Sequence, residues 1–222
     1  MIEPVSMTSL PIIISIDGPA ASGKGSLAKK LAEMLNYDFL DTGALYRRVA
    51  LKVLSENIDP ADTDAVIDAA MRFKDELGQD YDDSALRSDN VGSTASVIAQ
   101  IQPVRDILVD FQREFAQKAP NGAVLDGRDI GTVICPDADI KFFITASTEK
   151  RAERRYKELQ SRGISVTNAA VLAEMQERDE RDSIRLNEHL KPGHKVNIID
   201  TSDMTPQEVL DEAMRIVKFY KP

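Results

Sequence analysis

The sequence predicts an α/β protein: a mostly parallel sheet with helices packed on both faces. Three observations carry this. A β-branched run, Ile12-Ile13-Ile14-Ser15-Ile16, ends at Asp17, a glycine-bracketed loop follows, and helical spacing begins directly after it. Short apolar runs at 123–126, 140–144 and 196–200 alternate with amphipathic stretches, the pattern that builds parallel strands joined by crossover helices. Chemistry-bearing residues also gather just after several of these runs, where open α/β sheets bind ligands.

Taken in order, residues 26–35 place Leu27, Leu31, Met34 and Leu35 at helical spacing behind the loop. Residues 37–40 read as a second short strand, followed by helices over 44–54 and 62–73, the latter entered through Pro60 and a capping Asp62. Residues 74–90 are acidic and poor in branched apolar side chains, so they read as an excursion from the main domain. Helical spacing returns over 89–115, interrupted by Pro103, and Pro120-Asn121-Gly122 is a turn. Residues 148–160 form a charged helix with Arg151, Arg154 and Arg155 close to one side; a break at Gly163 precedes another helix over 168–182. Thr205-Pro206 starts a last helix reaching residue 219, with proline in its first turn.

Composition narrows the function classes. At 222 residues the chain has room for one large domain or a core with a small inserted subdomain. Its net charge of −9 argues against nucleic-acid and anionic-membrane partners, although a local arginine cluster could still serve a nucleotide. No apolar run reaches the roughly 20 residues of a membrane span. Residues 1–10 lack the basic-then-apolar order of a secretory signal and read as a flexible leader, with Met7 as an alternative start. The single Cys135 excludes an internal disulfide and fits a reducing cytoplasm; it reads as inert. His189 and His194 flank a Lys-Pro-Gly turn and read as solvated, with spacing unsuited to a metal site. Nothing in the sequence demands a partner chain, so a monomer is expected.

The loop after the first strand runs Gly18-Pro19-Ala20-Ala21-Ser22-Gly23-Lys24-Gly25-Ser26. Strand, glycines, lysine and helix stand in the order of a P-loop, whose backbone N–H groups and helix N-terminus cradle phosphates. Glycines let the backbone approach a phosphate, and Lys24 adds a mobile positive charge. The usual hydroxyl directly after the lysine is displaced: Gly25 intervenes and Ser26 follows.

Three further constellations accompany the loop. Residues 41–47, Asp-Thr-Gly-Ala-Leu-Tyr-Arg, stand at a strand end, although Thr42 also fits a simple helix cap. Asp126-Gly127-Arg128-Asp129 stands at another strand end, where a guanidinium between two carboxylates also fits a structural ion pair. Residues 178–185, with Arg178, Asp182 and Arg185, could be a solvated helix face laced with ion pairs.

In their order and spacing, the Gly23-Lys24-Gly25-Ser26 segment, residues 42–47, Ser96, Arg105, residues 126–129 and residues 178–185 resemble the bacterial cytidylate kinase family of P-loop nucleoside-monophosphate kinases. The resemblance spans about residue 11 to the final helix. It implies a three-layer P-loop kinase fold with a central parallel five-stranded sheet. It also implies an inserted monophosphate-binding subdomain at about 62–105 and a helical lid at about 151–185, within a single domain over 11–222. The implied activity is transfer of the γ-phosphoryl group of ATP to CMP or dCMP.

The resemblance assigns residues as well. Gly18 to Ser26, with Lys24, would hold the ATP phosphates. Arg47 and Arg128 would bind the acceptor phosphate, with Thr42 and Tyr46 lining that pocket. Ser96, Arg105 and Asp129 would face cytosine, Arg178 and Asp182 the ribose, and Arg185 the acceptor phosphate; Arg151, Arg154 and Arg155 would approach the transferred phosphoryl group. Cytosine offers an amino donor beside two acceptors, so an Asp–Arg pair should favour it over uracil. Mg²⁺ is the implied cofactor, with Ser26 and Asp126 as candidate ligands through water.

One departure stands out. The family usually carries a small three-stranded sheet in its insert before an Ile-Arg-Thr-like motif, whereas here Leu86-Arg87-Ser88 takes that place and the preceding segment is short and polar. The insert is therefore expected to be reduced. Two alternatives stay open from the residues alone: another small-molecule P-loop kinase, including one preferring UMP, and a nucleotide-dependent switch. A GTPase switch should carry an Asn-Lys-x-Asp motif, which does not occur.

Overall fold

Five parallel strands form the sheet in a computed structural model that describes residues 12–76 and 85–220. The strands are β1 Ile12–Asp17, β2 Asp38–Asp41, β3 Gly122–Gly127, β4 Ile140–Thr145 and β5 Asn197–Asp200, in the order β2-β3-β1-β4-β5. Eight α-helices are described: α1 Lys24–Leu35, α2 Thr42–Ser55, α3 Thr63–Phe73, α4 Asp89–Ile98, α5 Gln102–Lys118, α6 Thr148–Ser161, α7 Asn168–Glu188 and α8 Pro206–Tyr220. The leader at 1–10 and part of the excursion at 74–90 fall outside the described residues. The described ends of that excursion are two 3₁₀ turns, Lys74–Glu76 and Ala85–Arg87.

The sheet has a three-layer core because its central strands are covered on both faces, β3 buried along its whole length. Ile14, Ile16, Phe142 and Ile144 pack with Leu27 and Leu31 of α1 and with Leu210 and Val217 of α8. On the other side, Ala123 and Leu125 meet Ala116 of α5 and a π-helical turn, Ile130–Ile134. A separate apolar cluster joins α2 to α5, with Val49, Val53, Phe73, Ile98 and Leu108 fully or almost fully buried. The site therefore lies between a sheet and a helical layer with its own core.

Register decides what meets at the strand ends. Asp17 pairs with Gly127, and Asp41 pairs with Asp126. The chain crosses from one side of β1 to the other between β3 and β4, so the loop after β1 opens at the switch point of the sheet.

Several boundaries differ from the sequence reading. Asp41 rather than Thr42 caps α2, its carboxylate accepting from the Ala44 N–H at 3.1 Å. Thr42 begins the helix and donates its hydroxyl to the Asp126 carbonyl at 2.7 Å. Pro103 does not merely interrupt a helix; it sits in the first turn of α5, where its missing N–H costs nothing. The π-helical turn was not anticipated.

His189 corrects an expectation outright. It was read as solvated beside its turn, but α7 continues to Glu188 and carries His189 inward to 2% exposure. Its ring lies 5.3 Å from that of Phe143, centroid to centroid. His194 is exposed as expected. Cys135 is buried, and burial pushes its thiol up to about 11, which keeps it protonated and unreactive.

Candidate active site

The loop after β1 is built for a bound anion. Gly18 takes a φ of 149°, and a side chain there would collide with the Ile144 carbonyl. Gly23 stands at the start of α1 with φ 90° and no side-chain cap, so the first N–H groups of the helix stay open to a ligand. Lys24 is held at 3.4 Å from the Pro19 carbonyl and 3.8 Å from Asp126 Oδ1. The displaced hydroxyl now has a steric reason: a Cβ at Gly25 would lie 2.9 Å from Asp126 Oδ2. Ser26, the next residue, is exposed.

A cleft of about 340 Å³ opens above the strand ends. Ala20, Ala21, Lys24 and Gly25 line one side. Asp41 at the end of β2 and Thr42, Tyr46 and Arg47 of α2 line another, followed by Ser96 of α4, Asp126 to Asp129, Arg155 of α6, and Arg178, Asp182 and Arg185 of α7. Six chain segments, distant in sequence, thus bring most of the expected residues together.

Ion pairs set the geometry of the side opposite the loop. Arg128 Nε donates to Asp182 Oδ2 at 2.8 Å, and Asp182 Oδ1 accepts from Arg185. Arg105 does not line the cleft; it lies under it, 7% exposed, paired with Asp129, which does. Arg47 donates to Asp41 at 2.6 Å. Ser96 accepts from Arg181 Nε at 3.2 Å, which ties α4 to α7.

The lid arginines divide. Arg155 reaches the cleft and pairs with Asp89 at the start of α4 and with Glu158. Arg151, 3% exposed, grips both carboxylate oxygens of Asp179 at 2.9 and 2.6 Å and donates to the carbonyls of Ala146 and Ala20. Arg154 is taken up by the hydroxyl and carbonyl of Thr201. Neither Arg151 nor Arg154 lines the cleft.

Burial and neighbours shift the charges. Burial, reinforced by Arg128, lowers Lys24 to about 8, and burial with the same neighbour lowers Arg178 to about 10. Burial pushes Asp126 above the usual carboxylate range, against the pull of Lys24. Burial also raises the Tyr46 hydroxyl to about 12, so it remains a neutral donor. Burial opposes ionisation of Asp182, but Arg128 and Arg185 outweigh it and hold that carboxyl low. Arg178 Nε and Asp126 Oδ1 are buried without hydrogen-bond partners, two groups of opposite charge with unused bonding capacity in the cleft.

Gln112, Glu158 and Glu174 also line the cleft and were not singled out in the sequence. Only Gln112 left a signal: it stands two helical turns after Arg105 on α5 and therefore shares its face. The glutamates sit among many charges on α6 and α7, with nothing local to separate lining from solvated positions.

A family model described as cytidylate kinase matches residues 14–219. A cytidylate kinase from Paramagnetospirillum magneticum is 48% identical over 207 residues, covering 92% of this chain and 97% of that protein. One from Caldanaerobacter subterraneus subsp. tengcongensis is 41% identical over 220 residues, covering 96% and 97%. Among solved structures, a gluconokinase from Sinorhizobium meliloti 1021 is similar at a TM-score of 0.52 and 15% identity, covering 96% of this chain and 95% of that one. A shikimate kinase from Acinetobacter baumannii in complex with shikimate is similar at a TM-score of 0.50 and 15% identity, covering 96% of each chain. At these identities the two structures speak for the fold alone.

Proposed function

The chain belongs to the cytidylate kinase family, and from that premise we propose that it transfers the γ-phosphoryl group of ATP to CMP or dCMP, giving CDP or dCDP and ADP. The observation that carries the reading is one cleft with an uncapped phosphate loop on one side and a buried Arg–Asp pair with a guanidinium cluster on the other.

ATP phosphates would lie on Gly18 to Ser26, held by backbone N–H groups and Lys24. The acceptor phosphate would meet Arg47, Arg128 and Arg185, with Thr42 and Tyr46 beside it. Asp129 would accept from the cytosine amino group, Arg105 would position Asp129 from beneath, and Ser96 would complete the base contact. Arg178 and Asp182 would face the ribose. Lys24, Arg128 and Arg155 would neutralise charge on the transferred group, while Arg151 would shape the loop from behind and Arg154 would anchor α6 to Thr201. Phosphoryl transfer needs positioning and charge stabilisation more than covalent chemistry, and the acceptor is already an anion, so no general base is assigned.

Asp126 in the cleft and Ser26 beside its lining suit Mg²⁺. Asp126 Oδ1 is a buried carboxylate oxygen that accepts no hydrogen bond, and Ser26 offers an exposed hydroxyl, both of the hard oxygen type this ion takes. When bound with ATP, the ion would neutralise phosphate charge, with water completing its ligands. The proposal places the enzyme in the cytoplasm as a monomer.

A coupled ADP-release assay across CMP, dCMP, UMP, AMP and GMP tests the reading. CMP and dCMP should be the fastest acceptors; equal rates with AMP or GMP would overturn it.

A further inference from the structure

A second group of buried polar residues lies beneath the cleft, and the phosphoryl-transfer scheme above makes no use of it. Asp17, at the end of β1, is 0% exposed. Its two carboxylate oxygens accept the N–H groups of Ile130 and Gly131, each at 2.8 Å. These residues open the π-helical turn that directly follows Arg128 and Asp129. Glycine at 131 is what permits the approach, because a Cβ there would lie 2.6 Å from Ser15 Oγ.

His189 closes the group from the far side. Its Nε2 lies 3.0 Å from the Arg128 carbonyl and 3.6 Å from Asp17 Oδ2. A carbonyl only accepts, so Nε2 carries the proton and donates it. The Asp17 oxygen is beyond hydrogen-bond length and attracts the same N–H electrostatically. Arg128 is therefore held to α7 at two points: its guanidinium by Asp182 and its carbonyl by His189, which follows the last residue of that helix. The backbone over 127–131 is pinned by β1 on one side and α7 on the other.

We propose that His189 is a positioning residue for the acceptor side of the reaction. Through the Arg128 carbonyl, and with Asp17, it sets the exit of β3 and hence the direction of the Arg128 guanidinium and the Asp129 carboxylate. It touches no nucleotide. The phosphate loop is anchored separately, by the Arg151 donation to Ala20 and the Thr201 donation to the Ser22 carbonyl at 2.9 Å, so the donor side does not depend on this contact. This inference rests on the reading that Arg128 serves the acceptor.

The test compares steady-state constants for CMP and ATP in His189→Gln, His189→Asn and His189→Leu, with Arg128→Ala as control. A glutamine amide reaches the place of Nε2, whereas an asparagine amide corresponds to Nδ1. His189→Gln should keep both KM values within about twofold of the parent, while His189→Asn and His189→Leu should raise the CMP KM about tenfold and leave the ATP KM within about twofold, the scale of one unmade buried hydrogen bond. If His189→Leu does not fold, the Gln and Asn pair decides alone. Equal changes in both KM values, or Gln and Asn behaving alike, would overturn the proposal. An unchanged CMP KM in Arg128→Ala would instead overturn the acceptor role of Arg128.

Discussion

The two halves of the cleft are made in different ways. The donor half is backbone: a loop with glycines at 18 and 23, an uncapped helix start, and one lysine. The acceptor half is side chains, most of its guanidiniums already paired: Arg105 with Asp129, Arg128 and Arg185 with Asp182, and Arg47 with Asp41. A loop of N–H groups waits for an anion without paying in broken ion pairs. Paired guanidiniums must share or exchange a carboxylate for a phosphate, so affinity there depends on the difference between two strong contacts. The arrangement lends selectivity to the acceptor half and general phosphate binding to the donor half.

The largest expected effect breaks the donor half. Lys24→Ala should lower turnover roughly a thousandfold or more, the scale of losing a key charge at the transferred group. Near-normal turnover at saturating ATP and CMP would remove Lys24 from the chemistry.

A smaller loss, expressed as lost discrimination, should come from the acceptor half. Asp129→Ala leaves Arg105 buried without its partner and removes the acceptor for the cytosine amino group. The ratio of kcat/KM for CMP over UMP should fall by about a hundredfold, since unpaired buried polar groups carry most of such discrimination. An unchanged ratio would separate this pair from base reading.

The smallest effect is graded and concerns pH. Lys24 is lowered from 10.5 to about 8 by burial, with Arg128 adding to the shift, so its ammonium is present below about 8 and lost above. kcat/KM for ATP, which reports the free enzyme, should therefore fall as pH rises past 8, by about tenfold per unit at the limit. Arg128 titrates far above this range, its burial outweighed by Asp182, so the acceptor half should not share the decline. In Lys24→Arg the guanidinium stays charged, and whatever activity remains should be flat across that window. A persisting fall would assign the titration to another group.

Legibility followed the same division. The phosphate loop could be read because strand, glycines, lysine and helix lie within fifteen consecutive residues and express local geometry. Arg128, Asp129, Asp182 and Arg185 could be named from the family resemblance, but their pairing could not, because Arg128 and Asp182 are 54 positions apart and Arg155 and Asp89 are 66 apart. Arg151 illustrates the difficulty: one face of a charged helix looked uniform in sequence, yet Arg151 turns inward to Asp179 while Arg155 faces the cleft.

By itself the sequence determined the α/β class and the phosphate loop, since both are written in periodicity and in a short motif whose physics is local; the family followed from a resemblance carried by motifs spread along the chain. Tertiary structure decided which charges neutralise one another, why a side chain at residue 25 would crowd Asp126, and the burial of His189. A histidine beside a Lys-Pro-Gly turn has no local reason to be inside. Only the extra turns of α7, and the carbonyl and carboxylate brought to meet it by β3 and β1, place it there.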